Sequence, residues 1–592
     1  MTNERDKSLF ILFNKHQARY FKKKFSEEKR RQVEVLAFDG IVSMNLSQYN
    51  IQHHSAEELI KENERREILT TSTHLLIEKM NSILIRLDAE GNLRMIDFFD
   101  CVKYQKFLEF LSVIYYHHYL SKLLSLFQPS RVVIFANISL LTILLDDICE
   151  KKNISLDKHP LPWHYRYIQS AYEALPFVTK ERDILFHLFR KISNRSLSLE
   201  DIVSQLKMKK DTLEVALFTP LDNRRTLTNA LEGFHTLAKK SSTIIVPLRK
   251  TSQKEELITA EKEPHVLTFN LSKILLTKKE KEEVYSTEFS SYLFPLLSDI
   301  FNSRENIINL HTFTNAFGLR AWYHDFISTS HLFEHLFSAI RPSIFMGDNF
   351  YDFTTRVGNL IAEQRGIESY AVTQLHQELF SPPYHSFRNH ILNKHLPHSV
   401  AVHQQNTAVH IAQHTLIDNP DYVPRVQIIN RDTVGVDYKK DSSKEFVILF
   451  TTQQHVHTFD YVKIVMHTVQ TLSDTLSGYS VRLIIKPHPA EYAFLYKFTV
   501  RKRGAVAQVN ASIGINEALA IADILVTSHS FTAIEALKQG KKVILLSFSR
   551  RAAEPDILLY RPLELTENPL VTEVHSVGEL KTVLLKYAIM KK

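Results

Sequence analysis

The 592-residue chain lacks the features that mark secreted, disulfide-stabilised or membrane-spanning proteins. It has only two cysteines, Cys101 and Cys149, which are too few for a disulfide framework or a cysteine-based zinc site and favour a reducing, cytoplasmic location. The N-terminal residues MTNERDKSLF do not show the basic-then-apolar pattern of a signal peptide. The most apolar stretch, Val132 to Leu145, is shorter than a bilayer requires and is interrupted by Asn137 and Ser139. We therefore expect no membrane-spanning segment.

The chain also lacks a strong charge of one sign, since its formal net charge of +8 is modest for its length. Its basic clusters, such as Lys22–Lys24 and Arg501–Arg503, fit a solvated surface, which is the commoner case. They also fit attraction to an anionic polymer or to the inner face of a membrane, so peripheral membrane association stays open. We expect no nucleic-acid partner, because the sequence contains neither zinc-finger spacing nor an RRM aromatic motif.

The first part of the chain has the alternating pattern of a doubly wound α/β domain. Leu9–Phe13 is a strand candidate that leads through a short loop into a helix-like stretch, Gln17 to Phe25, and Val33–Ala37 is the next strand candidate. From about residue 140 to 240 the pattern is mostly helical and predicts an inserted helical region. Residues 1–430 are therefore predicted to form one N-terminal Rossmann-like domain with this insertion.

Further apolar strands occur later in that region, at Ser343–Met346, Ser369–Thr373 and Ser399–Val402. In parallel sheets, ligands meet the loops that follow the carboxyl ends of the strands. By this rule the polar side chains after the strands should face one cleft; they are His16, Asp348, Gln374, His376 and Glu378. A charged segment, roughly Asp418 to Ser443, follows and is predicted to be a linker.

From residue 444 onward five strand candidates alternate with helices, which predicts a second parallel sheet covered on both faces. The strands are Phe446–Phe450, Val481–Ile485, Ala505–Val509, Ile524–Thr527 and Lys542–Leu546.

Two loops of this C-terminal region carry candidate chemistry. The first, I-I-K-P-H-P-A-E, follows a strand that ends at Lys486 and holds His488 between two prolines, which restrict its backbone. An imidazole presented in a defined direction can donate a hydrogen bond to a phosphate oxygen. A simple turn histidine is an equally good interpretation of this loop alone.

The second loop lies between Thr527 and a helix that begins near Phe531. Ser528 and Ser530 bring hydroxyls and backbone N–H groups towards a helix N-terminus, which predicts an anion site. Glu535 follows one turn into the helix, where a carboxylate suits paired ribose hydroxyls. Ordinary N-capping by Ser530 or Thr532 is the alternative.

Taken together, the two loops resemble a known family. The string T-S-H-S-F-T-A-I-E-A-L-K-Q-G-K-K-V is similar to the T-S-x-x-G-F-E-A-L-x-x-G-x-x-V of capsule Kdo transferases, although Thr532-Ala533-Ile534 replaces the Gly-Phe before Glu. With His488-Pro489, it resembles the C-terminal domain of GT-B transferases that build capsules, teichoic-acid-like polymers and sialylated or Kdo-containing glycans. The resemblance covers about 150 residues.

The resemblance implies a GT-B fold with two Rossmann-like domains facing a cleft, of which residues 444–592 bind the nucleotide donor. It implies a glycosyltransferase that moves a sugar from a CMP- or UDP-sugar, as substrate and with no further cofactor, to a surface glycan or lipid-linked acceptor. The residues it assigns to donor binding are Lys486, His488, Pro489, Thr527, Ser528, Ser530, Thr532 and Glu535, with Thr452 and Gln453 near the donor phosphate. The alternatives are a CDP-polyol phosphotransferase, a sugar-nucleotide 2-epimerase and a catalytically silent GT-B scaffold.

The catalytic base is sought in the N-terminal domain, because transfer requires a carboxylate or imidazole within reach of the acceptor hydroxyl. Asp348 is the first candidate, His376 the second and His16 the third. Asp348 could equally form an Asx turn. No Asp-x-Asp motif occupies a suitable loop, which agrees with metal-independent GT-B chemistry, so no metal is expected.

Overall fold

The computed structural model shows an α/β protein built on parallel sheets. It describes residues 8–136, 140–162, 319–347, 350–373, 390–402, 422–429, 445–452, 458–475, 480–488, 507–528, 532–547 and 568–591, together with shorter stretches such as 214–218 and 243–249.

The chain divides into two compact units. The first unit comprises residues 1–69, 115–191 and 434–592, and the second comprises residues 70–114 and 192–433. The predicted division into an acceptor-side domain (1–430) and a donor-side domain (444–592) stays a prediction, because residues 430–444 and most of the predicted helical insertion lie outside the described residues.

The N-terminal part of the first unit forms a five-stranded parallel sheet with the order β3-β2-β1-β4-β5. Its strands are β1 Ser8–Leu12, β2 Glu34–Ala37, β3 His54–Ser55, β4 Arg131–Ala136 and β5 Ser155–Pro160. The helices of this part of the chain are α1 Lys15–Lys24, α2 Glu27–Arg31, α3 Gly40–Gln48, α4 Ala56–Leu59, α5 Glu62–Ala89, α6 Leu93–Phe127 and α7 Leu140–Lys151. Side chains of Asn14 and Asp39 cap α1 and α3 by accepting backbone N–H groups.

The second unit contains a seven-stranded parallel sheet with the order β14-β12-β10-β9-β6-β7-β8. Its strands are β6 Glu214–Phe218, β7 Thr243–Arg249, β8 Phe269–Asn270, β9 Ile344–Gly347, β10 Glu368–Val372, β12 Ser399–Val402 and β14 Arg425–Ile428. Two short strands, β11 Leu392–Asn393 and β13 Thr415–Leu416, pair separately. Helices α8 Leu319–Ile340 and α9 Phe353–Gln364 also belong to this unit.

Strands that were not predicted occur in two segments, of which one was predicted to be a linker and the other to be mostly helical. The predicted linker, 418–443, includes β14, which pairs with β12 at the edge of the sheet. The predicted helical insertion, 140–240, includes β5 and β6. Strand β14 is only half covered, so the continuous apolar run that identifies a buried strand is missing from its sequence.

The C-terminal sheet has the order β17-β16-β15-β18-β19-β20, again fully parallel. Its strands are β15 Glu445–Thr451, β16 Ser480–Lys486, β17 Ala507–Val509, β18 Ile524–Thr527, β19 Lys542–Leu546 and β20 Val571–Val574, and its helices are α10 Thr458–Thr475, α11 Ile515–Ile521, α12 Thr532–Lys538 and α13 Val577–Lys591. The five predicted strands are confirmed, and β20 adds a sixth at the edge. One face of the sheet packs on α10 and α13, and the other on α11 and α12.

The three large sheets share one winding. In each, the first strand lies beside the fourth, and the second and third extend in the opposite direction. The points at which the winding reverses are therefore β1/β4, β6/β9 and β15/β18. The predicted α/β class with Rossmann-like domains is confirmed, and the structure adds a third sheet of this type. Among the helices of the described ranges, none combines the length and apolarity needed to cross a membrane.

Candidate functional site

The C-terminal sheet presents a polar row at the point where its winding reverses. Thr451, the last residue of β15, lies in register with Lys486 of β16 on one side and with Thr527 of β18 on the other. Residues in register on parallel strands project from the same face. Thr451 and Thr527 lie on the same face of the sheet as Leu449 and Leu525, which pack against α11 and α12. The polar row therefore borders this apolar core at the carboxyl edge of the sheet.

The two threonine hydroxyls of this row are buried without a partner. Thr527 is 0% exposed and Thr451 is 5% exposed. Neither Oγ1 atom forms a hydrogen bond within the described part of the chain. Buried hydroxyls normally have partners, and an unpaired one costs on the order of 1–3 kcal/mol. A polar ligand at this edge would supply the missing hydrogen bonds.

Three further predicted donor residues, Thr452, His488 and Ser528, follow the same strand ends. The backbone N–H of His488 donates to Thr452 Oγ1 at 3.1 Å, and the backbone N–H of Thr452 donates to the Lys486 carbonyl. Ser528, directly after β18, is buried, and His488 is half-buried. The loops after β15 and β16 are therefore joined by hydrogen bonds, while Ser528 follows the adjoining strand.

The side chain of Lys486 is directed to the protein rather than left in solvent. Its Nζ donates to the carbonyl of Ile513 at 2.7 Å, in the turn before α11. Partial burial lowers the pKa of Lys486. This hydrogen bond fixes the end of β16 to the turn, so the structure gives Lys486 an anchoring contact in addition to its predicted part in donor binding.

Helix α12 places Thr532 and Glu535 after the Ser528 turn, both half-buried. Ala533 and Ala536 bury the opposite side of this helix against the sheet. Helix α12 spans seven residues. The predicted anion site at its N-terminus stays a prediction, because Ser530 lies outside the described residues.

Several predicted residues lie outside the described residues. For donor binding these are Gln453, Pro489 and Ser530, and for catalysis they are Asp348 and His376. Gln374 and Glu378 lie outside them as well.

His16 lies in the first turn of α1, directly after β1, where the strand-end rule places it. Its backbone N–H donates to Asn14 Oδ1 at 3.0 Å. Beside it, the buried side chain of Gln17 accepts from the Phe13 N–H at 2.7 Å and donates to the Phe135 carbonyl at 2.9 Å. The Gln17 side chain thus links the ends of β1 and β4 by hydrogen bonds. The sequence analysis did not predict this role.

A buried ionic cluster in the second unit was also missed. Asp100 of α6 pairs with Lys103 and with Arg356 of α9, and all three side chains are fully buried. Burial alone would raise the pKa of Asp100, but the two cations outweigh it and lower this pKa. Burial lowers the pKa of Lys103 to about 8.

His395 pairs with two carboxylates next to this cluster. Its Nε2 lies 2.8 Å from Asp97 Oδ1, and its Nδ1 contacts Glu363. Burial lowers the pKa of His395, but the two carboxylates outweigh burial and raise the pKa to about 9. Within the described ranges, no group of three or more His, Cys, Asp or Glu side chains is arranged to hold a metal ion.

Comparisons with known proteins leave the family unassigned. No family model and no curated protein matches the sequence. Among solved structures, the glycotransferase of kitacinnamycin covers 64% of this chain and 91% of its own, at a TM-score of 0.34 and 12% identity. The UDP-complexed UGT89C1 of Arabidopsis thaliana covers 64% of this chain and 91% of its own, at a TM-score of 0.36 and 10% identity.

A putative UDP-N-acetylglucosamine 2-epimerase from Listeria monocytogenes covers 64% of this chain and 88% of its own, at a TM-score of 0.36 and 10% identity. At this level of similarity the neighbours assign neither an activity nor a substrate to this chain.

Proposed function

We propose that the protein is a GT-B-type glycosyltransferase that binds a nucleotide-activated sugar at the carboxyl edge of its C-terminal sheet. The carrying observation is the pair of buried, unpartnered hydroxyls of Thr451 and Thr527 at the β15/β18 reversal point. Doubly wound sheets bind nucleotides at this position. The His488 and Ser528 loops, on which the resemblance to capsule transferases rests, follow strands of the same edge.

The donor is proposed to be a CMP- or UDP-sugar and the acceptor a surface glycan or a lipid-linked sugar. In this proposal His488 donates to the donor phosphate, Glu535 accepts from the ribose hydroxyls, and Asp348 acts as the base, with His376 and His16 as the next candidates. We further propose that the reaction requires no metal ion. The protein is proposed to act in the cytoplasm, in peripheral contact with the inner face of the membrane.

The test is nucleotide binding by the full chain, measured by calorimetry over CMP, CDP, UDP and GDP. Thr527→Val and Thr451→Val replace a hydroxyl by a methyl group of the same shape. If the hydroxyls hold the donor, each variant should lose nucleotide affinity by about 0.5–1.5 kcal/mol while its unfolding free energy is kept or raised, since an unpaired buried hydroxyl has been removed.

Thr468→Val is the matched control, because Thr468 is equally buried but its hydroxyl already donates to the Ile464 carbonyl at 2.9 Å. It should lose stability and keep nucleotide affinity. The donor site is wrong if Thr527→Val and Thr451→Val behave like this control. Turnover of CDP-glycerol instead of a nucleotide sugar would identify a polyol phosphotransferase, and nucleotide binding without any turnover would identify a silent scaffold.

A further inference from the structure

The sheet of the second unit also has a point of reversal, between β6 and β9. Helix α9 follows β9, and its residues 353–362 are all buried. The first half of the helix lies close against the strand, because a Cβ at Gly347 would meet the Thr355 side chain and a Cβ at Gly358 would meet the Phe345 ring. Polar side chains in this half of α9 are therefore held at the edge where doubly wound sheets bind ligands.

Three such side chains carry buried polar atoms without partners. They are Thr355, Arg356 and Asn359, each at most 1% exposed. Within the described part of the chain, no hydrogen bond is made by Thr355 Oγ1, Arg356 Nε and Nη1, or Asn359 Oδ1 and Nδ2. Asn359 lies one helical turn from both other residues, so the three side chains are neighbours on the helix surface. Four of the five atoms can donate a hydrogen bond.

Arg356 belongs to a buried ionic cluster. Its Nη2 binds Asp100 Oδ2 and lies 3.3 Å from Asn393 Oδ1, while Lys103 binds the other oxygen of Asp100. The backbone N–H groups of Lys394 and His395 also donate to this carboxylate, at 2.9 and 3.2 Å. Asp100 thus binds Lys103 and one side of the Arg356 guanidinium, whose Nε and Nη1 form no hydrogen bond within the described part of the chain. Buried polar atoms of this kind normally have hydrogen-bond partners.

We propose that Thr355, Arg356 and Asn359 bind an oxyanion, namely the carboxylate or phosphate group of a small acidic molecule. Such a group supplies acceptor oxygens to the unpaired donors, and its negative charge suits the unpaired side of the Arg356 guanidinium. The site lies in the second unit and shares no residue with the proposed donor site.

The test uses the full chain with sodium phosphate and sodium acetate as probes, against sodium chloride at equal ionic strength. Affinity is measured by calorimetry and stabilisation by thermal unfolding. Phosphate or acetate should stabilise the protein more than chloride does, and the stronger probe identifies the class of oxyanion. Thr355→Val and Asn359→Leu keep the shape and should each weaken binding about three- to tenfold. Arg356→Lys keeps the charge but lacks Nε and Nη1, and should weaken binding more.

Thr468→Val is the control and should bind both probes as the wild type does, and Thr527→Val is measured beside it to detect anion bound at the donor edge. The comparison separates the oxyanion site on α9 from the donor site. Loss of probe binding in Thr527→Val, with Thr355→Val unaffected, would place the anion at the donor edge and overturn the proposal. It is also overturned if neither probe stabilises the wild type beyond chloride, or if Thr355→Val and Asn359→Leu both bind normally. Should Arg356→Lys fail to fold, these two variants still decide the outcome.

Discussion

The backbone N–H of His488 donates a 3.1 Å hydrogen bond to the hydroxyl of Thr452, across two neighbouring strand ends. This contact holds the loop of the His-Pro motif to the end of β15. Thr452→Val should destabilise the protein by about 1 kcal/mol and weaken nucleotide binding, since His488 loses its fixed position. Thr452→Ser keeps the acceptor oxygen and should therefore keep both properties. Stability is measured by denaturant unfolding and nucleotide affinity by calorimetry. Equal loss in the serine variant would contradict a role for the hydroxyl.

His488 and Glu535 are predicted to recognise different parts of the donor. His488→Ala should cost roughly 1–3 kcal/mol of nucleotide affinity through loss of a charge-assisted hydrogen bond to phosphate. Glu535→Ala should instead remove the preference for CMP over 2′-deoxy-CMP, because its carboxylate is assigned to the ribose hydroxyls. Calorimetry with the two nucleotides separates these effects. The assignment fails for either residue whose variant binds both nucleotides like the wild type.

The catalytic base is tested by separating turnover from donor binding. Asp348→Asn should lose about 10²–10⁴-fold in turnover, the usual contribution of a general base, while donor affinity stays normal. His376→Ala is measured in parallel as the second candidate. If both variants keep near-normal turnover, the base lies elsewhere and His16→Ala is the next variant to measure.

His395 should make stability depend on pH. Its folded-state pKa is raised to about 9 by Asp97 and Glu363, against the ordinary 6.5, so the protonated form is stabilised by folding. This contribution is complete below pH 6.5 and is lost as pH rises towards 9. By pH 8 the loss is about 2 kcal/mol by linkage. Urea unfolding between pH 6 and 8 should show this decline, and His395→Gln should flatten it. A decline of equal size in the variant would assign it to other groups.

Two glycines should lose stability on substitution by alanine for different reasons. At Gly358 an added Cβ would meet the buried Phe345 ring, so Gly358→Ala should cost about 1–3 kcal/mol by overpacking. Gly540 has a φ of +66° and open space around it, so Gly540→Ala should cost only about 1–2 kcal/mol through backbone strain. Denaturant unfolding of both variants compares them. Equal stability of Gly358→Ala and the wild type would contradict the close packing of α9 on β9.

The sequence predicted most buried strands within one or two residues, because a short apolar run bounded by polar residues has few other interpretations. Ser399–Val402 and Ile524–Thr527 match the structure at both ends. The edge strand β20 was missed, since only its last residue, Val574, is fully buried and its apolar run is weak. The two-residue strands β3 and β8 leave no periodicity to detect.

The ionic cluster of the second unit was not predictable, because Arg356 is distant in sequence from Asp100 and Lys103. Asp100 and Arg356 lie 256 positions apart, and nothing in the sequence around Arg356 distinguishes it from a solvated helical arginine. The unpartnered hydroxyls of Thr451 and Thr527 were hidden for a related reason. Their importance follows from the register of β15 with β18, which requires the strand order rather than the strands alone.

The grouping of residues 1–69, 115–191 and 434–592 in one unit has a consequence for synthesis. After residue 191 emerges from a ribosome, about 240 further residues precede the last segment of this unit, which takes on the order of 12–50 s at usual elongation rates. During that interval Met44 of α3, which packs against the core of the C-terminal sheet, is uncovered. The nascent chain therefore passes through a stage in which chaperone binding or aggregation competes with completion of the unit, and slower translation prolongs it.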